Sequence, residues 1–249
     1  MRTTLITGAA GQNDWGLEHS ADLKASERLL SIVSAAPSLG RIVRIYRPSP
    51  TVAFSGLEQR LPGFADAVGQ SIAFGFDPVV RPAGGRMVAL DEGWLVIDII
   101  TPEPYLSVAH RDVYEEFGAT FVSLLRDLGV DAAMGAVPGE YCPGDYSINA
   151  RGAVKLVGTA QRVRRGARLF SACIPYSISF NVAALFDRIN AALGLDWNPE
   201  TLGSLEFEAP GLSIDALERA LINTFAPEAE TPVSLTDIYR DSRELALLS

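Results

Sequence analysis

The 249-residue chain is poor in the side chains that most often carry chemistry. It holds two cysteines, two histidines and two lysines, against nineteen arginines. Two histidines without a clustered Cys/His spacing exclude the usual zinc patterns, so no metal site is expected. His19 and His110 each fall on or near the start of a helical stretch and read as surface or capping residues. The opening MRTTLITGAAGQNDWG meets Asp14 and Glu18 too soon to make a signal peptide, so a cytoplasmic protein is expected. In that compartment Cys142 and Cys173 should be reduced rather than paired. Positive charge is also short. The net charge of −9 argues against nonspecific binding of nucleic acid or acidic membrane. No apolar run reaches the roughly 18 residues that span a bilayer, and there is no internal repeat or low-complexity stretch.

What is present suits an enzyme with a sizeable core, with 48% hydrophobic and 20% charged residues. Apolar spacing predicts an amphipathic helix over 18–33 and further helices over 61–75, 108–129, 179–193, 212–226 and 236–248. Strands are predicted at 41–46, 51–56, 77–81, 87–90 and 94–100, then weakly at 132–137, and at 146–149, 153–163 and 167–178. Hairpin-like neighbours interrupt any regular βαβ alternation. The expected class is therefore α+β, with a mixed, largely antiparallel sheet flanked by helices. LITGAAGQ (5–12) imitates the start of a dinucleotide fold through Gly8 and Gly11, but Asp14 would face the phosphate. The N-terminus then reads as a mobile or edge strand.

Three stretches invite a chemical reading. In RPAGGR (81–86), paired glycines let the backbone bend and present N–H groups to a carbonyl, carboxylate or phosphate. Arg81 and Arg86 would add charge-assisted bonds, although glycine pairs often do no more than turn a hairpin. In EYCPGDYSINARGAVKLVGTAQR (140–162), Pro143-Gly144 holds Cys142 in a loop, and a hairpin would fold Lys155 back toward it. A free thiol with a reference pKa of about 8.5 becomes a good nucleophile only near cations or N–H donors. Lys155 would favour the thiolate or steady an acyl oxygen, unless both are ordinary loop and surface residues. Cys173, within LFSACI, reads as a small buried core residue. The third stretch, RVRRGAR, with Arg162, Arg164, Arg165 and Arg168, is either a solvated turn edge or a docking patch for an acidic partner.

Together the first two stretches resemble the lipoate–protein ligase and biotin ligase superfamily, most closely its cysteine-dependent octanoyl/lipoyl amidotransferases. The arginine–glycine turn stands as Arg81-Pro82-Ala83-Gly84-Gly85 followed by Asp91. The Tyr-Cys-Pro-Gly element stands as Tyr141 to Gly144, and the Lys-x-x-Gly-x-x-Gln-Arg strand as Lys155 to Arg162. VAFSGLEQRLP (52–62) matches the strand and loop before the turn, so the likeness covers about residues 18–190. It implies a catalytic domain over 1–195 of the biotin/lipoyl ligase type, with 196–249 as a helical extension packed on it. It also implies that Cys142 carries the acyl group as a thioester and that Lys155 holds the acyl carbonyl region. Arg81, Gly84, Gly85 and Asp91 would bind substrate on one side, with Gly158, Thr159, Ala160 and Gln161 opposite.

The same resemblance implies the partners. They would be an acyl-carrier or lipoyl-carrier domain, of the glycine-cleavage H protein or dehydrogenase E2 type, small and acidic, with a lysine as acceptor. Ala83 replaces the family's usual serine and Val96 an asparagine common in it, which bears on acyl or nucleotide specificity. Transfer from a thioester requires no cofactor. An ATP-dependent lipoate–protein ligase, needing ATP and Mg, is the alternative, and a non-catalytic acyl-binding paralogue the second. Cys142 favours transfer, as does the expectation that the roughly 55 residues after the matched region hold no long accessory domain.

Overall fold

The computed structural model describes residues 1–8, 21–103, 108–235 and 237–238. The predicted helix over 236–248 therefore lies mostly outside the described residues, as do Gly11, Asp14 and His19. A seven-stranded sheet runs in the order β1 (Thr3–Gly8), β2 (Arg41–Tyr46), β6 (Trp94–Glu103), β10 (Gly166–Pro175), β9 (Val154–Arg164), β8 (Ile148–Ala150) and β7 (Ala132–Met134). Only β1 and β2 are parallel in it. A smaller sheet of β4 (Asp77–Arg81), β3 (Thr51–Ser55) and β5 (Val88–Leu90) lies apart from it in the hydrogen-bonded order. The N-terminal strand is an edge strand, paired with β2 alone.

Strand alternation explains both the long apolar runs and the position of the cleft. On β6, Leu95, Ile97 and Ile99 join one core with α3 (His110–Asp127). The short helix α5 (Leu205–Glu208) and α6 (Ile214–Phe225) contribute Leu205, Leu217, Leu221 and Phe225 to that core. Residues from the proposed extension are thus continuous with the main core. The even-numbered face of β6 carries Trp94 and Val96, which pack with α2 (Phe64–Ala73) and α4 (Phe180–Leu193). Farther along, Ile100 packs under α1 (Ala21–Ala35). The Ser179 hydroxyl accepts from Val182 N to cap α4, and Ser213 caps α6 in the same way.

Helix α1 is pinned by buried charge as well as by apolar packing. Arg44 Nη2 lies 2.8 Å from Asp22 Oδ1, and Arg44 Nη1 donates to the Asp22 carbonyl at 2.7 Å and to Ser26 Oγ at 3.0 Å. Ser26 donates in turn to Asp98, whose carboxylate is 3.9 Å from Arg44. Burial raises the Asp98 pKa, opposed by Arg44 and the Ser171 and Ser26 hydroxyls. Truncating one member of such a buried set leaves an uncompensated charge. Arg44→Ala is expected to lower unfolding stability by about 3–5 kcal/mol in denaturant titration, and a loss below about 1 kcal/mol would contradict the pinning.

Candidate active site

A partly open cleft lies between α1, the edge of the small sheet and the strand β9. Cross-strand pairs make its floor. Gly158 faces Cys173, Ala160 faces Ser171 and then Asp98, and Arg162 faces Leu169. Leu23, Ala53, Val88 and Leu90 add apolar wall.

Cys142 stands at this cleft in the loop between β7 and β8, and its fixation depends on one buried carboxylate. Glu140 is fully buried, and its Oε1 accepts from Gly144 N at 2.8 Å and from Ser147 Oγ at 2.9 Å. Lys155 Nζ lies 3.4 Å from Glu140 Oε2 and donates to the Cys142 carbonyl at 2.6 Å. It also sits 4.9 Å from the Tyr141 ring centre. The ammonium therefore holds the backbone of the cysteine loop and does not bond the sulfur. What donates to the sulfur is the Arg86 N–H, 3.1 Å from Sγ. A backbone N–H aimed at the sulfur stabilises negative charge as it develops there.

The turn that supplies this donor is itself closed by Arg81. Its Nη1 donates to the Gly84 carbonyl and its Nη2 to the Arg86 carbonyl at 2.9 Å. Gly85 has φ +93, and a Cβ there would stand 3.1 Å from Cys142 Sγ and 3.3 Å from Arg81 Nη2. The backbone conformation favours glycine, and a Cβ would crowd the sulfur. Beneath the turn, Glu58 accepts from Met87 N at 2.7 Å and from Ser55 N at 2.8 Å. Ser55 and Glu58 form a reciprocal cap that the spacing Ser-x-x-Glu would have revealed. Glu140 carries no comparable local signal.

The cleft gathers Arg81, Gly84, Gly85, Cys142, Lys155, Gly158, Thr159 and Ala160, but Asp91 and Gln161 do not line it. Asp91 accepts from Gly93 N at 3.0 Å and from Ser179 Oγ at 2.8 Å, tying the β5–β6 turn to the start of α4. Gln161 is one residue out of phase with the floor. It donates to the His110 carbonyl at 2.9 Å and accepts from Arg168 Nη1 at 2.6 Å. Cys173 packs against the core of Tyr46, Trp94 and Val96, as expected, and it also lines the cleft beside Leu169 and Ser171, whereas Phe170, Ala172 and Ile174 enter the other core. Burial pushes its thiol up to about 12.

A model of the lipoyl protein ligase A/B catalytic domain matches residues 21–226. The chain belongs to that family. The lipoyl protein ligase A/B match runs past residue 195, through α6. An octanoyl-[GcvH]:protein N-octanoyltransferase of Geobacillus kaustophilus is 33% identical over 140 residues, 56% of this chain and 49% of that protein. The protein of the same name from Exiguobacterium sibiricum is 30% identical over 186 residues, 71% of this chain and 67% of its own length. The match to the first of these spans about half of the relative. Among solved structures, a lipoate-protein ligase A bound with ATP superposes with a TM-score of 0.71 at 21% identity, covering 98% of this chain and 94% of that one. A bi-partite lipoate protein ligase from Thermoplasma acidophilum gives 0.65 at 18% identity, covering 98% and 92%. These likenesses establish the α+β fold, mixed and largely antiparallel. No described helix is long and apolar enough to cross a membrane.

The two thiols should differ sharply in reactivity. With its pKa pushed up to about 12 by burial, the Cys173 thiol stays almost wholly protonated at pH 8. Brief iodoacetamide treatment at pH 8 is expected to add one label, on Cys142, and none to Cys142→Ala. Equal labelling of both cysteines would contradict the assignment. Gly85→Ala should slow the Cys142 labelling by distorting the turn against the sulfur, and an unchanged rate would show the contact to be loose.

Proposed function

We propose that the chain transfers an octanoyl or lipoyl group from a carrier, through a thioester on Cys142, to a lysine of a lipoyl-carrier domain. Such a domain would be of the glycine-cleavage H protein or dehydrogenase E2 type. The names of the curated relatives carry an octanoyl group, GcvH and an N-octanoyl transfer to protein. The observation that carries the reading is Cys142 Sγ, facing an apolar cleft with the Arg86 N–H aimed at it.

The sulfur attacks the acyl carbonyl carbon, forming a C–S bond as the bond to the donor breaks. The thiol proton leaves with the departing carrier group. A lysine amine of the acceptor then attacks the same carbon, forming the C–N bond as the C–S bond breaks, and its proton returns the thiol. Each step passes through a tetrahedral oxyanion. Arg81 Nε is buried and unpartnered among the described residues, and an oxygen entering the cleft would satisfy it. Leu23, Ala53, Val88, Leu90 and Leu169 bed the hydrocarbon chain. Lys155 acts through the loop it clamps.

A thioester donor is already activated, so binding and orientation suffice and no nucleotide enters. The ligase route would set Lys155 against a carboxylate and an α-phosphate. Here its ammonium meets Glu140 and the Cys142 carbonyl, so no step is assigned to ATP or Mg.

Incubation with an octanoyl thioester should add one octanoyl group to the intact protein, detected by mass. Cys142→Ala should show no adduct and at least about a thousandfold slower transfer. Full transfer by the alanine variant would refute the covalent route, and lipoate-dependent ATP–pyrophosphate exchange would establish the ligase in its place.

A further inference from the structure

The arginine-rich turn splits into two unlike parts. Arg168 is buried, with Nε 2.7 Å from Glu103 Oε2, and takes no part in any surface. Arg162 and Arg164 lie on β9 in phase with Gly158 and Ala160, so they continue the cleft floor outward on the same face. Both are exposed, and Arg162 lines the cleft itself. Arg165, also exposed, occupies the turn before Gly166.

Helix α1 runs beside this strand and adds to the same ridge. Lys24 and Arg28 are exposed and one helical turn apart. Arg164 Nη1 donates to Ser31 Oγ at 2.6 Å, and Ser34 Oγ donates to the Arg165 carbonyl at 2.6 Å, so strand and helix form one surface. Glu27 is the acid set among these cations. Burial raises its pKa, opposed by the charges of Arg162 and Lys24. Five basic residues thus gather at one edge of the cleft in a chain with 30 acidic and 21 basic residues. From Gly158 to Arg164 is six residues, about 20 Å at about 3.3 Å per residue. An interface of ordinary size, about 800 Å² per partner, spans that distance and still reaches the sulfur.

We infer that this ridge of Lys24, Arg28, Arg162, Arg164 and Arg165 is the landing surface for the acidic face of the carrier domain. The inference rests on the transfer reading and names where its protein substrate docks. Opposite charge accelerates encounter and orients the partner, so its loss appears in the carrier's KM and in salt dependence. A small acyl donor, which needs only the cleft, is indifferent to it.

The test compares the parent with Arg164→Glu/Arg165→Glu and with the milder Arg164→Gln/Arg165→Gln. Recombinant glycine-cleavage H protein serves as carrier, and octanoyl-N-acetylcysteamine as the small donor that acylates Cys142. The expected result is a carrier KM raised about tenfold for the glutamate pair and less for the glutamine pair, with flattened salt dependence. Rates of Cys142 acylation by the small donor should stay within about twofold. Carrier KM values unchanged in both variants would overturn the inference, as would an equal loss with the small donor. Equal, salt-sensitive binding of a single-stranded oligonucleotide or of phosphatidylglycerol vesicles would overturn it too. If the parent shows no Cys142 acylation, the transfer reading fails. The docking surface is then decided by calorimetric binding of the same carrier, which the glutamate pair must weaken.

Discussion

The contact between Lys155 and the loop it holds sets everything around the sulfur. A fully buried carboxylate, Glu140, gathers the loop by accepting from Gly144 and Ser147, and the lysine ammonium answers its charge while donating to the Cys142 carbonyl. Either ion alone would be costly in the interior. Together they tolerate burial because their charges meet at 3.4 Å, although Glu140 Oε2 itself makes no hydrogen bond among the described residues. The sulfur then needs no direct ion pair. The Arg86 N–H meets it from a turn that Arg81 closes and Glu58 anchors from below. Lysine suits this post because its ammonium is a compact donor, whereas a planar guanidinium demands a wider, forked environment.

The second constraint is the two-residue period of the central strands. One face of β6, β9 and β10 builds the core with α3 and α6, and the other is shared by α1, α2, α4 and the cleft. That division explains why residues adjacent in one motif have unlike duties. Gly158 and Ala160 floor the cleft while Gln161 fastens His110, and Cys173 lines the cleft while Ala172 and Ile174 fill the core.

Much of this was legible beforehand. The β-branched runs of β2, β6, β9 and β10 announced themselves, and helical spacing located α1 to α4 and α6 to within a few residues. The glycine turn and the cysteine loop were found because their backbone demands leave marks in glycine and proline. What failed to read through was facing. A motif names a residue without saying which side of a strand or turn it takes, so Asp91 and Gln161 were expected at the cleft, and Cys173 was expected in the core without its second place in the cleft wall. Glu140 was missed because its burial comes from Lys155 beyond a hairpin, a long-range pairing with no local signature. The charge split within RVRRGAR has the same origin, since only the fold brings Glu103 to Arg168.

The central claim is that Cys142 is a way-station for the acyl group and not merely a wall of its pocket. The most direct measurement is a single-turnover chase. Purified octanoyl-Cys142 protein is mixed with excess carrier, and sulfur-bound and lysine-bound octanoyl are followed together by mass. The account requires the thioester to vanish at the rate at which the carrier's amide appears, at least as fast as steady-state turnover. A thioester that only hydrolyses, or passes its acyl group on more slowly than turnover, would contradict it.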